Sequence, residues 1–181
     1  MSRASEINPL SVRLRPAQPE DESFLFDLYA STRLEELAMV RWNEQQQHEF
    51  LQMQFNAQSR YYESEYPGAD FQLIEVEGQS AGRLYVHRRA DEIRVMDLAL
   101  LPQYRRKGIG TSLLQQILLE GARQNKPVTI HVESFNPALE LYERLGFKNV
   151  ASNGVYHLLE WMPSPLAPRP AAEPMTRSQS S

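Results

Sequence analysis

The chain has 181 residues, 41% of them hydrophobic, a formal net charge of -4 and no cysteine. That length suits one domain with a proper core, and the acidic balance argues against a nucleic-acid binder relying on bulk positive potential. Disulfides, thiolate metal ligands and a cysteine nucleophile are all excluded, and no apolar run approaches the length of a membrane span.

Residues 1–10 are polar and aperiodic and are expected to fray. They lack the layout of a signal peptide, which makes the cytosol the simplest location. Val12 and Leu14, alternating with Arg13 and Arg15, predict a short half-buried strand stopped at Pro16. Pro19, Glu20, Asp21 and Glu22 form an acidic first turn for a helix carrying Phe24, Leu25, Leu28 and Tyr29. Thr32 with Glu35 has the form of a capping box, predicting a second short helix through Leu34, Leu37 and Ala38. Trp42 sits at the next break, and Asn43 can cap a helix whose apolar stripe is Phe50, Leu51 and Phe55. The run from Arg60 to Gly68 is expected to be a loop holding Tyr61, Tyr62, Glu63, Glu65 and Tyr66. Two readings stay open for it: tyrosines packed partly on the core, or the acceptor-binding lip of an active site.

Phe71–Glu77 alternates as a strand, Gly78 and Gln79 make a tight turn, and Ala81–His87 returns as the hairpin partner. After the charged turn Arg88–Glu92 comes a strand over Val95–Leu101, stopped by Pro102. Leu113, Leu114, Ile117, Leu118 and Ala122 give the following helix a strong apolar face, ended by the stretch Gly121–Pro127. Val128, Ile130 and Val132 then alternate as a strand, with Thr129, His131 and Glu133 on its other side. A strand, helix and strand of this length imply a right-handed parallel crossover. Asn136 and Pro137 open a helix with Ala138, Leu141, Tyr142 and Leu145 on one side, closed by Gly146. A hairpin from Phe147 to Met162, turning at Asn153-Gly154, completes the domain. Five of the twelve prolines fall in the last 19 residues, so the tail from Pro163 is expected to be disordered. The domain is therefore expected over residues 11–162.

Between the Val95–Leu101 strand and its helix lie Arg105, Arg106, Lys107, Gly108, Ile109 and Gly110. A basic, glycine-containing turn feeding a helix N-terminus is a ready anion site: free N–H groups and the positive helix end point at the ligand. A Rossmann fingerprint would need a small residue where Leu113 stands, and a P-loop would need Gly-Lys-Ser/Thr, so both are rejected. His48, His87, His131 and His157 are scattered without ligand spacing, and no metal site is expected.

Asp97-Leu98-Ala99-Leu100 running into Pro102, then Arg105-x-x-Gly108-x-Gly110, then Asn136 followed by Tyr142-Glu143-Arg144-Leu145-Gly146-Phe147, together resemble the GNAT superfamily of acyl-CoA-dependent N-acyltransferases. The resemblance implies one α/β domain of the α+β type. Its mixed, mostly antiparallel twisted sheet would have about seven strands, with helices on both faces and a central parallel crossover. It also implies acetyl-CoA as cofactor. Backbone groups of Leu98 and Leu100 would hold the pantetheine arm, N–H groups from Arg106 to Gly110 and Thr111 the pyrophosphate, and Asn136 the pantetheine again. Tyr142 matches the tyrosine that protonates the departing thiolate. Members related to histone acetyltransferases carry a glutamate where this chain has Arg94. Asp97, which resembles the acidic position of polyamine-acetylating members, is thus the candidate for binding the amine or taking its proton. Tyr61, Tyr62, Glu63 and Glu133 are further candidates for the acceptor side, with Glu133 and His131 as reserve bases.

The activity implied is direct acetyl transfer from acetyl-CoA to a primary amine, small and cationic or amphipathic. A protein lysine or N-terminus is the alternative acceptor, and a non-catalytic acyl-CoA sensor the alternative of another class. No nucleic acid or membrane partner is expected, while edge strands and exposed tyrosines would allow a homodimer.

Overall fold

In the computed structural model, which describes residues 10–164, seven strands form one mixed sheet. The expected frayed start and proline-rich tail fall almost wholly outside those residues. The strands are β1 (Val12–Pro16), β2 (Asp70–Val76), β3 (Gln79–Arg88), β4 (Ile93–Leu100), β5 (Val128–Glu133), β6 (Lys148–Asn153) and β7 (Tyr156–Trp161). Their order is β1-β2-β3-β4-β5-β7-β6, and β4 with β5 is the parallel pair. The helices are α1 (Glu22–Ser31), α2 (Leu34–Ala38), α3 (Glu44–Glu65), α4 (Ile109–Gln124) and α5 (Leu139–Arg144).

The main core lies where α4 and α5 meet the sheet. Leu113, Leu114, Ile117 and Leu118, spaced for one helical face, bury against Val86, Ile93, Val95, Val128 and Ile130. Each such side chain removed from water contributes about 1.5–3 kcal/mol. A smaller cluster of Tyr29, Leu37, Leu51 and Phe55 joins α1, α2 and α3. Arg83 and Tyr85 alternate with Leu84 and Val86 along β3, so they leave the main core and face the α3 side.

Four local expectations are corrected. Thr32 does not cap α2: its hydroxyl donates backward to the Tyr29 carbonyl at 2.7 Å, and Arg33 occupies the cap position. This is the usual competition of a threonine hydroxyl for the preceding turn. Residues 60–65 are not loop but the last turns of α3, a helix opened by the Asn43–Gln46 capping box and unbroken until Tyr66. No glycine or proline interrupts it before Pro67, and the residue ahead of a proline is where helices end. The β2–β3 turn is Glu77-Gly78, both with positive φ (49° and 77°), one residue earlier than expected. Gly121 lies inside α4, which instead ends at Asn125 in the left-handed region. A Cβ at Gly121 would stand 2.9 Å from Val128 Cγ2 and 3.0 Å from the Lys126 carbonyl, so glycine serves close helix-on-strand packing there.

Two irregularities in β4 shape the centre of the sheet. Opposite β3 the register shifts, with Tyr85 facing Asp97 and Val86 facing Val95, so Met96 is an extra, bulged residue. The bulge returns Leu98 and Leu100 to the face of Ile93 and Val95 and turns Asp97 toward α3. In addition, β4 pairs with β5 over Ile93–Val95 and no further. Beyond that point β4 follows β3 and β5 follows β7, and a gap opens between them.

Candidate active site

The basic turn is built as an anion cradle. A short 3-10 turn at Pro102–Tyr104 ends β4, and Arg106 (φ 59°) and Gly108 (φ 77°) both adopt the left-handed region. Two such residues bracketing Lys107 curl the chain so that successive N–H groups converge. Helix α4 has Gly108 as N-cap with no side-chain cap, and its first bond in this turn runs from Ser112 N to the Gly108 carbonyl. The N–H groups of Ile109, Gly110 and Thr111 are therefore left for a ligand at the positive end of a 16-residue helix. No heavy atom lies within 4 Å of where a Gly108 Cβ would be, and a Gly110 Cβ would meet Leu98 Cδ2 alone at 3.8 Å, so the cradle is open. These features fit a pyrophosphate.

Next to the cradle lies the gap. Leu101 N donates to the Ala81 carbonyl, so by ladder alternation Leu98 and Leu100 are the positions whose N–H and C=O point away from β3. They face the side from which β5 has withdrawn, as an added extended ligand requires. The Arg105 Nε donates to the Leu100 carbonyl at 2.8 Å, which takes one of that oxygen's two lone pairs and ties the cradle to the strand. Asn136 is half-buried, and its Oδ1 accepts from Ala138 N at 2.9 Å. Its carbonyl thus opens the turn into α5, and its amide N–H groups remain for a ligand.

Tyr142 on α5 is 5% exposed and packs edge-on against Phe147, with ring centroids 5.9 Å apart. Its hydroxyl bonds to no described residue, yet it is not among the sealed polar atoms without a partner, so it keeps access to solvent. Burial, and then the negative charge of Asp97, push its phenol up to about 12. It therefore holds its proton at neutral pH.

Asp97 has a partner that the sequence did not announce. Arg83 Nη2 donates to Asp97 Oδ2 at 2.6 Å and to Gln58 Oε1 at 2.8 Å. The Tyr62 hydroxyl approaches the same Oδ2 at 3.4 Å. Arg83 is 4% exposed, and its guanidinium lies 5.0 Å from the Tyr85 ring centroid. Desolvation and the adjacent Asp97 charge raise the Tyr62 phenol strongly, while burial raises Tyr85. Tyr61, Tyr62 and Tyr66 form an aromatic group with centroids 6.1–6.2 Å apart, continued by Tyr85 and His87 on β3.

Of the residues expected on the acceptor side, Tyr62 and Asp97 are in contact, and exposed Tyr61 flanks them. Glu63 is exposed on α3. Glu133 stands half-buried at the end of β5, where the Asn136 N–H bonds its carbonyl. His131 is exposed at its residue surface and lines a separate hollow of about 290 Å³ with Ala151, Tyr156 and Leu158, where partial desolvation and then the charge of Arg94 lower its pKa. Arg94, at the position where some relatives of the family pattern carry glutamate, is bound to Thr129 and Glu92. Arg83 and Gln58 were missed. Arg83 did leave a trace, as one charged residue inside the buried run Ala81–Val86, which calls for a buried counter-charge. Nothing in the sequence named Asp97 as that charge.

A model of the acetyltransferase (GNAT) domain matches residues 67–149, which takes in β4, the cradle, α4, β5 and α5. Over that stretch the chain is similar to the GNAT superfamily. An N-alpha-acetyltransferase of Sulfurisphaera tokodaii is 42% identical over 59 residues, 31% of this chain and 35% of the relative. One of Saccharolobus solfataricus is 41% identical over the same length. The chain thus aligns with about a third of these curated relatives. Among solved structures, the PaiA N-acetyltransferase of Thermoplasma acidophilum in complex with coenzyme A superposes with a TM-score of 0.64 at 17% identity, covering 84% of this chain and 99% of that one. An acetyltransferase of Thermus thermophilus gives 0.62 at 17% identity, covering 85% and 98%. The seven-stranded sheet with its parallel β4–β5 pair is the GNAT fold.

Proposed function

We propose that this protein is an N-acetyltransferase that moves an acetyl group from acetyl-CoA to a primary amine, by direct transfer within a ternary complex. The observation that carries this reading is the β4 edge abandoned by β5, which leads directly into the open turn at the start of α4. Coenzyme A supplies the acetyl group as an activated thioester. The N–H groups from Arg106 to Thr111 hold its pyrophosphate, with Arg105 and Lys107 adding positive charge. Leu98 and Leu100 hold the pantetheine arm as an added strand would be held, and Asn136 donates to it from the opposite wall.

In this reading Tyr142 gives its proton to the sulfur as the C–S bond breaks. A thiol and a phenol ordinarily differ by about 1.5 pH units, and the burial that raises the Tyr142 phenol disfavours a neighbouring thiolate in the same way. Proton transfer between them thus stays feasible. The amine attacks in its neutral form, and its proton leaves toward Asp97, directly or through water. Tyr61 and Tyr62 wall the acceptor, with Glu63 and Glu133 at the rim. A small amphipathic amine fits this lining of aromatic rings and one carboxylate. A protein N-terminus is the second reading, favoured by the two archaeal N-alpha-acetyltransferases.

The test is thiol release from acetyl-CoA across small amines, peptides with a free N-terminus and peptides with an internal lysine. Turnover with the first group and not the others is expected. Turnover confined to free N-termini would replace the acceptor assignment. Binding of acetyl-CoA with no turnover for any of them would make the protein a sensor.

A further inference from the structure

The Arg83–Asp97 pair has a consequence for which amines the site accepts. Asp97 is the carboxylate on the acceptor side of the gap, and it is not a free negative charge. Its Oδ2 is taken by Arg83 at 2.6 Å and approached by Tyr62 at 3.4 Å, while no described residue donates to its Oδ1. Arg83 is held in turn by Gln58 and by the face of the Tyr85 ring. Its Nε is buried with no partner among the described residues, which is tolerable for a guanidinium whose charge is needed in place. Two opposite charges in contact sum to nearly zero at any distance beyond a few ångströms. The floor of the acceptor site is thus one free acceptor oxygen in an environment close to neutral. It is walled by Tyr62, Tyr66 and Tyr85, with Tyr61 at the edge.

We propose, on the basis of the acetyl-transfer reading, that Arg83 is the specificity-determining residue of the acceptor site. It cancels the charge of Asp97 and holds one of its oxygens, so that the site selects a primary amine on an aromatic or apolar body and disfavours polycations. A lone Asp97 would draw cations strongly and would stabilise the protonated amine, which cannot attack. With Arg83 beside it, Asp97 still offers a hydrogen bond for orientation, while the aromatic walls recognise the body of the acceptor. Arg83 acts through Asp97 and is a positioning residue. A purely structural pair would leave acceptor ranking untouched.

Tyramine serves as the single-amine probe and spermidine as the polycation, each titrated with acetyl-CoA against wild type, Arg83→Lys, Arg83→Gln and the double variant Arg83→Gln/Asp97→Asn. Wild type is expected to prefer tyramine by at least tenfold in kcat/KM. Arg83→Gln exposes the Asp97 charge and is expected to lower KM for spermidine about tenfold with KM for acetyl-CoA unchanged, reversing the ranking. Arg83→Lys keeps the charge and the ranking. The double variant removes both charges, leaves no buried ion unpaired and returns the ranking to tyramine, though at a lower rate. Should Arg83→Gln fail to fold, the wild-type ranking of tyramine against spermidine still tests the proposal. A wild-type preference for spermidine, or a ranking unchanged in a folded Arg83→Gln, overturns the proposal. If neither amine turns over but a peptide does, acetyl transfer stands and this acceptor assignment falls.

Discussion

Tyr142 and Asp97 illustrate how little a residue type says before its surroundings are known. Tyr142 is a core tyrosine by burial and a candidate acid by the access of its hydroxyl, and the two descriptions are compatible because burial keeps the phenol protonated. Tyr142→Phe is expected to lower kcat about 100-fold with the best amine and to leave KM for acetyl-CoA unchanged. Steady-state kinetics with both substrates varied checks this, and an unchanged kcat removes Tyr142 from the chemistry. Because its phenol is pushed up to about 12, the wild-type rate should show no falling limb near pH ~10, where an ordinary phenol ionises. Asp97 was legible as an acidic residue on β4. Its partner Arg83 was not, because a side-chain pair across two strands depends on register, and the Met96 bulge sets that register.

At the scale of elements, glycines mark where backbone approaches backbone or must turn. Gly82 on β3 lies where a Cβ would stand 2.2 Å from the Ala99 carbonyl oxygen, a backbone atom that cannot swing aside. Gly82→Ala must push β3 from β4 beside the segment that carries Leu98 and Leu100. A loss of about 3 kcal/mol in urea unfolding is expected, together with weaker acetyl-CoA binding. Gly108 differs, since no atom crowds it and its left-handed φ of 77° alone demands glycine. Gly108→Ala is expected to cost about 1–2 kcal/mol of backbone strain and to raise the Kd for acetyl-CoA measured by calorimetry. A variant that folds less stably yet binds acetyl-CoA as wild type does would show that the cradle's curl is dispensable. Element boundaries were read less well than elements. Helix α3 ran on through Tyr61 and Tyr62 because propensity is a weak signal there and packing on β3 decides. Helix α4 continued past Gly121 because its glycine was selected for contact with Val128 and not for a turn.

For the whole molecule, pH should act from both sides. Tyr62, Tyr85 and Tyr142 all have raised phenols, so the folded chain keeps protons that the unfolded chain releases. The stability linked to them is fully present below the ordinary phenol value and is lost as pH rises above it. Asp21 and Glu120 are lowered, first of all by hydrogen bonds from Arg15 and Arg88. Their contribution is present above the ordinary carboxylate value and is lost as pH falls through the lowered one, and it is modest because both pairs lie at the partly solvated surface. Thermal unfolding across pH should therefore show a plateau through neutrality, a mild acid decline and a steeper alkaline one. A melting temperature still flat well above the phenol range would contradict the burial of these tyrosines.

By itself the sequence determined the order of elements, the fold class and the basic glycine turn between β4 and α4. These rest on local signals: alternation in Val128–Val132, helical spacing in Leu113–Leu118, and a basic turn whose Gly108 can take a left-handed φ. Tertiary structure alone decided where β4 and β5 part, which face Asp97 takes after the Met96 bulge, and that Arg83 meets it. Those are outcomes of strand register and splay. They follow from the packing of the whole sheet against its helices, and no short stretch of the chain encodes them.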